Sequence, residues 1–148
     1  MNKSVIKRMV LGGIAVLVGI QLIPVWLIQT NPPVQAEPAW ASPRTRTLLK
    51  RACFDCHSNV TTWPLYSRVA PVSWLVTLDT IRGRRHLNFS EWGRSPQSSE
   101  RVPSANDMIE LINNGSMPPS NYLLLHPAAK LNDAERQDLI NGLRATFK

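Results

Sequence analysis

Residues 9–28 read MVLGGIAVLVGIQLIPVWLI, twenty residues without a charge, in which only Gln21 and Pro24 interrupt the apolar character. A core helix of a soluble domain normally carries a polar face, and this run has none. At about 1.5 Å per residue a helix over it covers roughly 30 Å, the thickness of a bilayer's hydrocarbon core. Lys3, Lys7 and Arg8 precede the run, and the next basic residue is Arg44. That asymmetry predicts a cytoplasmic N-terminus and an exported remainder. Val34-Gln35-Ala36 offers small residues where a signal peptidase cuts, so a cleaved signal is the competing reading. The run is longer than a usual signal core, which favours a retained anchor over residues 1–30, and either reading exports the rest of the chain.

Residues 31–42 hold Pro32, Pro33 and Pro38, with Pro43 directly after. They read as an extended, fairly stiff linker. The remaining 43–148 form one small domain, of a size at which a bound cofactor or cross-link helps offset chain entropy. The whole 148-residue chain has a formal charge of +7, but three of its basic residues flank the apolar run. From Glu37 onward there are 14 basic and 10 acidic residues, with no run of four basic ones. Nucleic-acid binding is therefore not expected.

Ser42-Pro43 predicts a helix start, a capping hydroxyl before proline at the first helical position, running to about Asp55. A second helix is expected from Pro71 to about Arg84, with Val72, Leu75, Val76 and Leu78 on its apolar side. Residues 88–104 read as polar and irregular, anchored by Phe89 and Trp92. Ser104 with Asp107 opens a third helix with Met108, Leu111 and Ile112 on one stripe, stopped at Asn114-Gly115. Asn132 with Glu135 opens the last, where Ala134, Leu139, Ile140, Leu143 and Phe147 recur at helical spacing. No alternating strand pattern is visible. The expected fold is all-α, four short helices with long connections, and connections of that length need something to pack on.

The chain has only two cysteines, in Cys53-Phe54-Asp55-Cys56-His57. This is CxxCH, the order needed for c-type haem attachment. Two thiols add across two vinyl groups, and the next residue is carried beneath the porphyrin as an iron ligand. Three alternatives remain open. A thioredoxin-like redox pair needs a βαβ setting that is missing here. A zinc site needs further ligands, which His86 and His126 could supply. A simple disulfide is compatible with export. On the haem reading, covalent haem c is held by Cys53 and Cys56, with His57 as proximal iron ligand.

Met117 is the candidate distal ligand. It stands in Gly115-Ser116-Met117-Pro118-Pro119, sixty residues after His57. Prolines after it would hold the thioether in place, and thioether ligation raises the reduction potential. Packing is the ordinary alternative for a methionine. Met108 reads as core, His86 as an exposed alternative ligand, and His126 as a loop residue with a local hydrogen bond. Trp63, Tyr66, Trp74, Trp92 and Tyr122 read as packing aromatics, of which one or two line the haem or donate to a propionate. Arg82, Arg84 and Arg85 read as a solvated face, with propionate pairing as the second choice.

The chain resembles the bacterial haem-binding domain family of exported CxxCH proteins. The resemblance rests on Asn31-Pro32-Pro33-Val34, Cys53 to Asn59, Trp63-Pro64, Tyr66-Ser67 and Ala70 to Trp74. It continues over Gly83-Arg84, Leu87 to Trp92, Met117-Pro118-Pro119, Tyr122 and His126-Pro127. It implies a cytochrome c-like helical fold with haem at Cys53, Cys56 and His57, and no particular physiological role. Leu65 stands where the family pattern often has tryptophan, which puts that position in doubt as a haem contact. The leading functional expectation is a membrane-anchored, periplasmic single-electron carrier with redox-protein partners as yet unidentified. A peroxidase-like haem enzyme and a gas or redox sensor are the alternatives, and the iron's coordination would separate them.

Overall fold

The computed structural model describes residues 2–93 and 103–148. Part of the stretch expected to be irregular, residues 94–102, lies outside them. Among the described residues the fold is helical: α1 (Lys3–Ile20), α2 (Pro43–Ala52), α3 (Phe54–His57), α4 (Val72–His86), α5 (Ala105–Asn113), α6 (Ser120–Leu125) and α7 (Asp133–Thr146), with short 3₁₀ turns at Val25–Ile28, Leu65–Arg68 and Pro127–Ala129. The only β-type pairing there is an isolated bridge between Ala36 and Glu91. The four expected domain helices are present, and α3 and α6 are additional.

The chain divides into two compact units, residues 1–30 with 63–79, and residues 31–62 with 80–148. In the first, α1 is shorter than the apolar run that predicts it. It stops at Ile20, and the run continues through a bend to the turn Val25–Ile28. Pro24 gives the reason. Proline in a helix clashes with the carbonyl four residues earlier and has no N–H to offer it, and that carbonyl belongs to Ile20. Residues 3–28, α1 with the bent stretch and turn after it, are nonetheless together long and apolar enough to cross a membrane or to serve as a signal sequence. The turn Val25–Ile28 packs on the turn Leu65–Arg68. Gln21 donates through Nε2 to the Ala70 carbonyl (3.1 Å) and accepts from the Ala70 N–H (3.0 Å). Gln29 donates to the Ser67 carbonyl (2.6 Å) and to Thr77 Oγ1 (2.9 Å). The two glutamines of this end thus tie it to the 63–79 segment.

In the second unit α2 packs against α7, and α5 packs against α7. Ser42 caps α2 by accepting from the Thr45 N–H, as its position before Pro43 predicts. Both residues of each reciprocal cap, Ser104 with Asp107 and Asn132 with Glu135, are engaged at α5 and α7. Leu48, Leu49, Met108, Ile109, Ile112, Leu139, Ile140 and Leu143 form the buried core. Met108 is core, as its stripe predicts. Ile109 takes the buried place expected of Leu111, which is 40% exposed. α2 and α7 meet at Gly142, where a Cβ would run into the Thr45 side chain.

The segment after Thr30 is held along its length. Asn31 donates to the Thr61 carbonyl, Asn59 donates to the Pro33 carbonyl, and the Gln35 and Ala36 N–H groups donate to the Ser90 carbonyl. Trp40 then enters an aromatic cluster with Phe54, Phe89 and Phe147, and Trp92 completes it against Phe89 and Phe147.

α4 turns a different side inward than its apolar residues suggest. Ser73, Thr77, Thr80 and Gly83 are buried, while Leu75 is 62% and Leu78 41% exposed. Small residues permit close approach, and the Thr77 hydroxyl is satisfied locally by the Ser73 carbonyl, so burying it leaves no polar group unpaired.

Candidate functional site

Each residue of Cys53 to His57 has a separate structural assignment. Cys53 ends α2, its N–H still donating to the Leu49 carbonyl at 2.7 Å, and its φ of −130° breaks the helix. The predicted helix through Asp55 therefore divides here, and α3 follows as one turn. Phe54 points into the core and stacks on Phe89, ring centroids 5.6 Å apart. With Phe54 committed inward, the orientation of the turn is set. Asp55 is clamped: Oδ1 accepts from the Thr62 N–H (2.9 Å), Oδ2 from the Tyr122 hydroxyl (2.8 Å), and its carbonyl from Thr61 Oγ1 (2.7 Å). Cys56 lies beneath Gly83 of α4, so closely that a Cβ on Gly83 would collide with the Cys56 carbonyl.

His57 is held from α4 and the residue after it. Its Nδ1 lies 3.1 Å from the Leu87 carbonyl. A carbonyl only accepts, so Nδ1 carries the proton and Nε2 keeps its lone pair, the arrangement found at metal-ligating histidines. Burial pushes the His57 pKa down, the Leu87 and Gly83 carbonyls oppose that, and the nearby His86 charge adds to it. The result favours the neutral imidazole that ligation requires.

Cys53 and Cys56 are not joined in a disulfide, and both are half-buried as residues. Burial, with a smaller contribution from Cys56, pushes the Cys53 thiol up to about 12. Reactive redox cysteines have lowered pKa values, so a thioredoxin-like pair gains no support. Among the described residues no three His, Cys, Asp or Glu side chains assemble as a metal site, so the zinc arrangement with His86 and His126 does not form. His126 stacks on Tyr122 with centroids 4.2 Å apart. His86 is exposed at the end of α4.

The loop behind the motif is a buried polar knot. Ser58 Oγ donates to the Phe54 carbonyl, the Asn59 N–H donates to Ser90 Oγ, and Asn88 donates to Asn59 Oδ1. Arg84 is part of it: Nε donates to the Ser58 carbonyl, and Nη2 to Thr61 Oγ1 and Asn31 Oδ1. The Arg82-Arg84-Arg85 cluster is thus not uniformly a solvated face. Sequence reasoning missed this role of Arg84, and no spacing rule would have shown it.

Met117 lies in the connection from α5 to α6, after Gly115 at φ +73°, a conformation that suits glycine. Its N–H donates to the Leu111 carbonyl at 3.0 Å, and the residue is 37% exposed. Five residues on, Tyr122 makes its bond to Asp55, so this connection is tied back to the CxxCH turn.

The model of the haem-binding domain matches residues 15–145. The chain belongs to the haem-binding domain family. Its expected cofactor is therefore haem, and the residues fit it: two thiols close together in Cys53 to His57 and an imidazole held neutral by burial, with Nδ1 against the Leu87 carbonyl. No curated protein and no solved structure matches the chain.

Proposed function

We propose that this haem-binding protein is a membrane-anchored, mono-haem c-type cytochrome that carries single electrons on the extracytoplasmic side of the inner membrane. The observation that carries the proposal is the His57 ring, fixed by the Leu87 carbonyl through Nδ1 one residue after Cys56. Cys53 and Cys56 would hold the haem by thioethers, and His57 would bind its iron. When bound, haem supplies a one-electron ferric/ferrous couple.

Met117 is the favoured distal ligand. The Tyr122 bond to Asp55 keeps its connection near the motif. His86 belongs to α4, the helix beside the protonated edge of His57, whereas a distal ligand must approach from beyond Nε2. The rest of the chain positions: Phe54 orients the turn, Asp55 and Tyr122 close it, and Gly83 lets α4 sit against Cys56. Lys3, Lys7 and Arg8 before the apolar run support the assigned side of the membrane, and the partners are redox proteins.

Expression with a c-type maturation system tests this. The expected result is haem that stays on the chain in a denaturing gel, is lost in Cys53→Ala with Cys56→Ala, and gives a low-spin spectrum. Haem that dissociates on denaturation, where a control cytochrome keeps its own, would sink the covalent assignment. A high-spin spectrum would instead favour a catalytic or sensing site.

A further inference from the structure

α1 is too short to cross a bilayer alone once its charged end is placed in the headgroups. From Met9, after Lys7 and Arg8, to Ile20 it has twelve residues, about 18 Å of helix. A hydrocarbon core of about 30 Å extends roughly 12 Å further. The chain there is the bent apolar stretch to Ile28, tied by Gln21 and Gln29 to Ala70, Ser67 and Thr77. Whatever depth that stretch occupies, the 63–79 segment accompanies it.

The segment is built for such a place. From Trp63 to Leu78 the only charged residue is Arg68. Leu65 is 89%, Val69 55%, Val72 38% and Leu75 62% exposed. In α4, Val72, Leu75 and Leu78 recur every three residues, across about a third of the helix circumference. Trp26, Trp63, Tyr66 and Trp74 add four amphipathic aromatics to the same unit, a composition typical of the membrane–water interface. In water so many exposed apolar side chains in one small unit would be a liability. The amide groups are dealt with as lipid demands: Gln21 and the Ala70 backbone satisfy one another on both donor and acceptor sides.

We propose that the face formed by the Leu65–Arg68 turn and the start of α4 docks in the outer leaflet of the membrane that the apolar stretch from α1 to Ile28 crosses. Leu65, Val69, Val72 and Leu75 sink to the level of the upper acyl chains, and Arg68 meets the lipid phosphates. This rests on the anchored reading of α1, and goes beyond it by making the anchor a two-part device in which the 63–79 segment holds to the surface beside the apolar stretch.

The test places nitroxides on the full chain in vesicles of phosphatidylcholine and phosphatidylglycerol, through Leu65→Cys and Leu75→Cys. Val16→Cys in α1 and Leu124→Cys, exposed in the other unit, serve as references, with the unsubstituted chain as labelling blank. All four positions are exposed, so the packed interior is left alone. Accessibility to oxygen relative to a water-soluble nickel complex should be several-fold higher at 65 and 75 than at 124, and closer to that at 16. Lipid-like values at 16 with water-like values at 65 and 75 would overturn the docking face and leave the anchor standing. Water-like values at 16 as well would overturn the anchor and the docking with it. Spin–spin broadening at 65 or 75 that disappears on dilution with unlabelled chain would assign the face to a second copy and also overturn the proposal.

Discussion

Gly83→Ala sets two effects of opposite sign against each other. Alanine in a helix interior is worth about 1 kcal/mol over glycine, so substitution within α4 should stabilise the chain if nothing else changes. The structure adds a collision. A Cβ at position 83 would lie 3.0 Å from the Cys56 carbonyl carbon and 3.1 Å from Cys56 Cβ, whereas carbon atoms pack at about 3.5–4.0 Å. The obstruction is backbone on one side and helix on the other, so neither can rotate away as a side-chain tip would. Overpacking of this kind costs about 1–3 kcal/mol, and the rigid neighbours place it at the upper end. The expected net loss is about 1–2 kcal/mol. Relief requires α4 to move away from the CxxCH turn, and this lengthens the 3.1 Å contact between His57 Nδ1 and the Leu87 carbonyl. Thermal unfolding of the full chain in mild detergent measures the first effect, and the haem spectrum measures the second. A variant about 1 kcal/mol more stable than the parent, with an unaltered spectrum, would refute the close approach of α4 to Cys56.

Three further outcomes are expected. Tyr122→Phe removes one hydrogen bond to the Asp55 carboxylate, a bond to a charged group, and should cost about 1.5–3 kcal/mol in unfolding free energy. Hydrogen bonds from Arg51 and the Asn132 N–H hold the Glu135 carboxyl down to about 2, from an ordinary value of 4.5. Its stabilising effect is complete above that ordinary value and is lost as pH falls towards 2; a pH-resolved melting series on Glu135→Gln should show a shallower acid dependence than the parent, and identical slopes would remove Glu135 from the acid transition. Met117→Ala should leave the haem attached while lowering its reduction potential and producing a high-spin fraction; an unchanged potential and spectrum would exclude Met117 as ligand.

The elements most legible in the sequence were those specified by neighbours along the chain. The caps at Ser42, Ser104 and Asn132 are local hydrogen bonds between residues three apart, so residue type and spacing suffice to locate them. The Cys53 to His57 pattern is visible for the same reason, since it lies within five consecutive residues, and the match to the haem-binding domain family supports haem as its cofactor. Periodicity was a poorer guide where the buried face is not the apolar one. In α4 the inward side carries Ser73, Thr77, Thr80 and Gly83, because close backbone approach at Cys56 and the hydrogen bond from Gln29 decide it. Trp40, partly buried, packs against the core from a proline-rich stretch, and only its ring contacts with Phe54, Phe89 and Phe147 reveal it.

By itself the sequence determined an apolar N-terminal helix, a helical remainder, and a pattern that belongs to the haem-binding domain family. These follow from composition, local capping and short-range residue pattern. The tertiary structure alone decided how that motif is held: the Leu87 carbonyl behind His57, Gly83 over Cys56, Tyr122 on Asp55, and Arg84 within the loop behind. It also decided that Gln21, a polar break in the apolar run, and Gln29, directly after it, are the ties to residues 67–77. Each of these partners lies between twenty-three and sixty-seven residues away in the chain. Pairings at that range depend on how the whole backbone closes, and no local pattern encodes them.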